Sequence, residues 1–185
     1  MTTGINRPAD VVSFLKAQHV QIKTLLQQVS GSKGPQRQET FDQLRRLLAV
    51  HETAEEEVVH PRARRELSDG DEVVSARLAE EHSGKQALAD IEKLDVNSAE
   101  FEEKFRVLSE EIIKHAEAEE HEEFEQLAAE MDDAALTRMR NAVKIAEAVA
   151  PTRPHAGAET PVANLLVGPF ASMMDRTRDL LAGKT

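Results

Sequence analysis

Cysteine, tryptophan and tyrosine are all absent from the 185-residue sequence, which has six phenylalanines as its only FWY-type aromatic residues. Without cysteine, disulfides, thiolate metal sites and cysteine nucleophiles are excluded. No run of about 18 apolar residues is present, so no transmembrane helix is predicted. The first residues lack the basic and apolar regions of a signal peptide. We therefore expect a cytoplasmic protein without a membrane span.

Positive charge is also in short supply, with 23 Lys and Arg against 34 Asp and Glu, for a net charge of −11. This balance argues against nucleic acid or an anionic membrane as a partner, because both are polyanions. The common residues, among them Ala, Glu, Leu, Gln and Arg, are good helix formers, and β-branched runs are short. An all-α fold is therefore expected.

The hydrophobic periodicity and the helix breakers predict four long helices, at about 10–29, 36–66, 71–94 and 98–131, and a fifth at about 134–149. Pro61 should kink or break the second helix. Short loops between long helices favour an up-down-up-down antiparallel four-helix bundle, with additional C-terminal helices. We expect residues 1–150 to form this bundle and its fifth helix. Residues 151–185 then form a Pro-rich linker and a short helix, about 169–181, that docks on the bundle or on a protein partner.

Two segments carry a histidine and a glutamate four residues apart. His51 and Glu55 lie in one, His115 and Glu119 in the other, and each residue of the second pair follows its counterpart by 64 positions. Both pairs continue an apolar stripe, since spacings of three and four keep residues on one helix face. Burying charge without compensation is costly, and a bound cation is the simplest compensation.

Two further histidines complete the pattern. His19 and His82 are 63 residues apart, so we interpret residues 10–66 and 71–131 as two copies of a helix pair. Each copy supplies one lone histidine and one His-x-x-x-Glu. Imidazoles and carboxylates suit iron, manganese or zinc. Inward-facing His and Glu in helical bundles commonly hold two metals, so a dinuclear centre is favoured.

The segments that carry these residues resemble the hemerythrin-like, or HHE cation-binding, family. They are residues 18–26, 51–61, 81–82 and 115–120, and the tail segments 164–169 and 175–179 are similar to those of actinobacterial members. The resemblance implies a non-haem di-iron site. Its two iron ions would be bridged by Glu55, by Glu119 and by an oxo or hydroxo group.

The sequence departs from the oxygen-carrying hemerythrins on the third helix. Those proteins have His-x-x-x-His there, whereas Leu78 stands four residues before His82. Glu52 is the candidate replacement, because similar iron-sensing domains of a ubiquitin-ligase subunit use the extra Glu of His-Glu-x-x-Glu as a ligand. A solvated Glu52 is the alternative. The predicted metal ligands are therefore His19, His51, Glu52, Glu55, His82, His115 and Glu119.

Other polar residues near the motifs have simpler interpretations. The order His51-Glu52 could begin a zincin helix, but Glu55 stands where that motif needs a second histidine. His60 is about half a turn from the His51 face, so a structural or surface role is expected. The remaining expectations are surface pairing with Lys or Arg for Glu56 and Glu120, and solvent exposure for His121 and His155. Glu122 lies on the apolar stripe, so support of a ligand is an alternative for it.

These features favour a protein that reacts with or senses oxygen, peroxide, nitric oxide or iron, with a redox or stress role. Its ligand would be a small diatomic molecule or a peroxide. A peroxide-dismutating, catalase-like enzyme is one alternative, although no dedicated enzyme is expected. Iron or oxygen storage is the other, and Leu78 argues against reversible oxygen carriage.

Overall fold

The computed structural model describes residues 9–150 and 152, and the part it describes folds into five helices without a strand. The predicted all-α bundle is confirmed. The helices are α1 (Val11–Gly31), α2 (Gly34–Ala54, Glu55–Val59 and His60–Glu66 in succession), α3 (Gly70–Ile91), α4 (Ala99–Ala118, Glu119–Phe124 and Glu125–Glu130) and α5 (Asp133–Val149). The predicted linker and terminal helix, like His155, lie outside the described residues.

Side-chain caps fix where three of the helices begin. Asp10 accepts from the backbone N–H of Ser13 at 2.8 Å, and Asp132 accepts from that of Ala135 at 2.7 Å. Ser98 starts α4 in the same way. Each cap satisfies a backbone donor that has no partner inside its helix, which explains why the predicted helix starts are confirmed at these points.

The core consists of two apolar clusters at different levels of the bundle. One is built around Phe41, Phe101 and Phe105, and the other around Phe124 and Leu15. On α1, α2 and α4 the residues between the two clusters are polar and buried. The bundle therefore has an apolar layer on each side of a polar centre.

Helix α5 completes the second apolar cluster, to which it contributes Leu136, Met139, Val143 and Ala146. It packs against α1 and α2. The buried Arg45 of α2 then holds the chain just after α5 by donating to the carbonyl oxygen of Thr152. Across the described residues, no helix is both long enough and apolar enough to cross a bilayer.

Helices α2 and α4 each contain one π-helical turn, at Glu55–Val59 and Glu119–Phe124. In α2 the N–H of His60 bonds to the carbonyl of Glu55, five residues earlier. The expected interruption before Pro61 therefore takes the form of a wider turn, and the helix continues to Glu66. Such turns are rare and often mark functional sites. Both begin at the glutamate of a His-x-x-x-Glu pair.

Candidate metal centre

Three helices bring four of the predicted ligands together in the polar centre. His19 of α1, His51 and Glu55 of α2, and Glu119 of α4 are buried, and each has a ligand atom within 4.8 Å of the others. Nε2 of His51 lies 3.1 Å from Nε2 of His19 and 3.2 Å from Oε2 of Glu55. The 3.6-residue period of α1, α2 and α4 accounts for this convergence.

A second group adjoins the first and shares one carboxylate with it. Glu81, His115 and Glu119 also have ligand atoms within 4.8 Å of one another. Oε1 of Glu119 lies 3.3 Å from Nε2 of His115, whereas Oε2 lies 3.4 Å from Nε2 of His19. The two oxygens of Glu119 therefore face different histidines.

The outer nitrogens of two imidazoles face carboxylates. Nδ1 of His19 lies 2.9 Å from Oε1 of Glu120, and Nδ1 of His115 lies 2.8 Å from Oε2 of Glu80. An ionised carboxylate only accepts hydrogen bonds, so each Nδ1 carries the proton. In the neutral ring the lone pair is then on Nε2, which points into the centre, as in metal-binding histidines.

His51 is oriented in the same sense by an amide. Its Nδ1 lies 2.9 Å from Oε1 of Gln18, while Nε2 of Gln18 donates to Oε1 of Glu147 at 2.6 Å. Because the carboxylate of Glu147 accepts, the amide nitrogen must face it and the amide oxygen must face His51. Two imidazole lone pairs, those of His19 and His51, therefore face each other, an arrangement that a cation between them would stabilise.

The carboxylates of Glu55 and Glu119 differ from that of Glu81, which contacts His60. Among the described residues, neither oxygen of Glu55 nor either oxygen of Glu119 has a hydrogen-bond partner, although all four atoms are buried. Leaving a buried polar group unsatisfied costs about 1–3 kcal/mol, and more when it is charged. The donor set, with its bare nitrogens and oxygens directed at one small volume, fits a bound cation.

The pKa values show how this environment treats charge. Burial, together with the nearby His19, lowers the pKa of His51 to about 3, which keeps its imidazole neutral. Burial and the carboxylate of Glu119 raise the pKa of Glu55 well above its usual value. For His115, burial alone would lower the pKa, but the carboxylate of Glu119 outweighs it. The two carboxylates thus oppose each other's ionisation, and added positive charge between them would favour the ionised form of both.

A family model of the hemerythrin HHE cation-binding domain matches residues 10–127, which include α1 to α3 and nearly all of α4. The chain belongs to the hemerythrin family. A protein of Nostoc sp. (strain PCC 7120 / SAG 25.82 / UTEX 2576) described as a DNA nickase is 30% identical over 113 residues, which are 60% of this chain and 31% of that relative. The chain therefore spans about a third of the relative's length. No solved structure matches it significantly.

On α3 this hemerythrin-family chain differs from the sequence expectation, because the structure does not bring His82 to the centre. His82 is partly exposed, with Nε2 2.7 Å from Nε2 of Gln86, and Glu81 faces inward instead. The buried Val74 and Leu88 are each seven residues from Glu81, and seven residues make nearly two turns. The inward face of α3 therefore includes Glu81. This spacing is visible in the sequence, but the 63-residue repeat pointed to His82 instead.

His60 is a buried member of the centre that periodicity missed. Its Nε2 lies 2.6 Å from Oε1 of Glu81, and its Nδ1 lies 3.0 Å from Oε1 of Glu123. A regular α-helix would place His60, nine residues after His51, about half a turn away. The π turn holds one extra residue and rotates His60 back toward the interior. No sequence pattern that we used predicts this π-helical turn.

The predicted ligand Glu52 lines a cavity beside the centre and belongs to none of the close His and Glu groups among the described residues. Burial raises the pKa of Glu52 to about 8, against the opposing effect of Lys85. Lys85 contacts Glu56, and both side chains are buried. The expected pairing of Glu56 with a lysine is therefore present, but inside the bundle rather than on its surface.

The remaining expectations concern α4. Glu120 bonds to His19, so it supports the centre besides lying near Lys16 at 3.9 Å. The side chain of Glu122 is 56% exposed and lies 3.5 Å from Arg77, so Glu122 pairs with an arginine rather than supporting a ligand. The side chain of His121 is 73% exposed, as predicted.

A cavity of about 220 Å³ reaches the centre from between the helices. Its inner residues include His51, His115 and Glu119. Four aliphatic side chains, Ile22, Leu48, Leu108 and Ile112, form an apolar wall. A small molecule that enters this cavity would meet both groups of potential ligands.

Proposed function

We propose that the bundle holds two iron ions and that the protein reacts with, or senses, dioxygen, peroxide, nitric oxide or iron itself. The observation that carries this proposal is that Glu119 joins two adjacent groups of ligand atoms, one on each side of it, and also lies close to a third group that contains His60 and Glu123. One group would hold the first ion through His19, His51 and Glu55. The other would hold the second through Glu81 and His115.

The chemistry of the donors is compatible with iron. Mixed imidazole and carboxylate ligands without sulfur suit iron or manganese, and zinc to a lesser degree at such a carboxylate-rich site. Bound iron would supply redox and Lewis-acid chemistry. On α3, Glu81 takes the inward position, so the set contains more carboxylates and fewer imidazoles than expected. Anionic oxygen ligands favour the ferric state, which weakens the case for reversible oxygen carriage.

The protein groups around the ions would act by holding ligands and limiting access. Glu120 and Glu80 keep the protons of His19 and His115 on Nδ1. His60 holds Glu81 in place. Along its apolar wall the cavity would admit small neutral molecules, and the charged side chains of Glu111 and Lys114 also line it.

The cavity also supports a second candidate, a peroxide-dismutating enzyme. Dismutation converts two hydrogen peroxide molecules into one dioxygen and two waters, so no external reductant is needed. The cavity would give peroxide a route to the centre. Sensing remains the leading proposal. The cytoplasmic location, the actinobacterial subtype and a protein partner bound through residues 169–181 stay predictions.

Metal analysis of natively purified protein tests the proposal, alongside its absorption spectrum. We expect about two iron atoms per chain. Because tryptophan and tyrosine are absent, near-ultraviolet absorption from the iron centre should be easy to see. One zinc and no iron would contradict the proposal. Hydrogen peroxide is then added under an oxygen electrode. Sustained oxygen release identifies the enzyme, and a spectral change without turnover identifies the sensor.

A further inference from the structure

Two imidazoles of the centre have a carboxylate next to the ring nitrogen that faces away from it. His19 and His115 each direct Nδ1 at a carboxylate, that of Glu120 at 2.9 Å and that of Glu80 at 2.8 Å. A carboxylate in this position fixes the tautomer of the ring and makes its other nitrogen a better metal ligand. All four residues lie within the matched family segment, residues 10–127.

His51 also has a carboxylate on its outer side, but an amide lies between the two groups. Between it and the carboxylate of Glu147 stands the amide of Gln18, with hydrogen bonds of 2.9 Å and 2.6 Å. Glu147 belongs to α5, which begins at Asp133 and therefore lies wholly beyond the matched family segment. The carboxylate behind His51 thus comes from outside the family's four-helix unit.

We propose that α5 is part of the metal centre, and that Glu147 is a positioning residue that sets the tautomer and metal affinity of His51 through Gln18. The inference rests on the proposed function, since it requires that His51 binds a metal. It assigns α5 a role beyond covering the apolar core.

The amide of Gln18 explains why Glu147 is needed. An amide can present either its oxygen or its NH₂ group to a neighbour. With Glu147 accepting from the NH₂ group, only the oxygen can face His51, which keeps the proton of the imidazole on Nδ1. If the amide turned over, it would donate to Nδ1 and leave the proton on Nε2, where a metal must bind. The negative charge of Glu147 also polarises the chain of hydrogen bonds toward a more basic Nε2.

The packing of α5 does not itself depend on Glu147. The helix is anchored by apolar side chains on its buried face, including Leu136, Met139 and Val143. Glu147 is only partly buried. Exchanging its carboxylate for an amide should therefore leave the fold intact, which separates an effect on the metal from an effect on stability.

The test is anaerobic titration of metal-free full-length protein with ferrous ion, in competition with a chelator. Glu147→Gln removes the charge and no longer fixes which end of the Gln18 amide faces His51, and Gln18→Leu removes the link altogether, so each should raise the dissociation constant about 10-fold, the effect typical of altered outer hydrogen bonds to metal ligands. Glu125→Gln is the control, because that side chain is 59% exposed and pairs only with the exposed His121 among the ion pairs described. Melting temperatures of the metal-free variants should equal that of the parent.

A double variant that exchanges the side chains at positions 18 and 147 provides the decisive experiment. The double variant Q18E/E147Q places the carboxylate directly behind His51, as at His19 and His115, with an amide left at position 147 to donate to it. We expect it to regain the parent's affinity, which a merely structural role of Glu147 would not produce. Parent-like binding by E147Q, or no recovery in the double variant, would overturn the role of α5. A parent that binds no ferrous ion would instead overturn the proposed function.

Discussion

The imidazole of His60 and the carboxylate of Glu81 form a buried contact, with Nε2 2.6 Å from Oε1, at the point where α2 and α3 face the metal centre. The other oxygen of Glu81 is buried and has no hydrogen-bond partner among the described residues. His60 therefore occupies one oxygen and leaves the second free to bind a cation. This pair makes Glu81, rather than its neighbour His82, the α3 residue that contacts the centre.

Substitutions on α3 should separate these two neighbours. Glu81→Ala is expected to lower iron from about two atoms per chain to about one, because it removes a ligand from one group only. His82→Ala should retain both, with His121→Ala as an exposed control. The measurement is iron per chain after purification. Loss of iron in the His82 variant, with full occupancy in the Glu81 variant, would restore the ligand set expected from the sequence.

Glu119→Ala should lose both ions, since its two oxygens face different histidines. Glu117→Ala is the matched control, because Glu117 lies two residues before Glu119, about half a turn away, and its side chain is 61% exposed. Elemental analysis of both variants, with circular dichroism to confirm helicity, provides the measurement. If the Glu119 variant keeps one tightly held ion, Glu119 does not bridge.

Removing the metal should destabilise the bundle. Binding to the folded state alone stabilises it by about 4 kcal/mol when free metal is at about 1,000 times the dissociation constant, which corresponds to roughly 10 °C in melting temperature. Thermal unfolding followed by circular dichroism, with and without chelator, measures the shift. The Glu119→Ala variant should not respond to chelator. An unchanged melting temperature in the parent after proven metal loss would argue against ligation by these residues.

In metal-free protein, His51 should contribute stability that is lost as the pH is lowered from about 7 toward 4, whereas the raised pKa values of Glu52 and Glu55 act in the opposite direction. Burial lowers the pKa of His51 to about 3 from an ordinary 6.5, so the unfolded chain binds the proton first. The contribution of His51 to the free energy of unfolding is therefore complete above pH 6.5, and it declines by about 1.4 kcal/mol per pH unit below that pH. Urea unfolding of the parent and of His51→Gln isolates this contribution, because the parent's free energy of unfolding should fall relative to the variant's as the pH is lowered across this range. Equal slopes would mean that the imidazole is solvated.

Two glycines of α3 provide a test of the packing that sets its position. A Cβ atom at Gly70 would lie 2.5 Å from the carbonyl oxygen of Ala63, whereas one at Gly84 would meet nothing within 4 Å. Gly70→Ala should cost about 1–3 kcal/mol. Gly84→Ala should stabilise by up to about 1 kcal/mol through helix propensity. Denaturant unfolding of both variants measures the difference, and similar stabilities would contradict the close approach of α2 and α3.

The sequence by itself determined the helices and most of the centre. His51 and Glu55, like His115 and Glu119, lie one α-helical turn apart, a local spacing that needs no tertiary information to put both on one face. Helix caps such as Asp10 and Asp132 act within a few residues, which is why those boundaries were predictable.

Only the tertiary structure decided which face of α3 turns inward, how His60 reaches Glu81, and that Glu147 stands behind His51. Charged residues interrupt the apolar stripe of α3. The rotation of the helix about its axis is therefore determined by the packing of the apolar residues at its two ends. The π turn that redirects His60 changes the period on which sequence reasoning depends. The contact from Glu147 to Gln18 joins positions 129 residues apart, and such a contact follows from how α5 packs rather than from any local pattern.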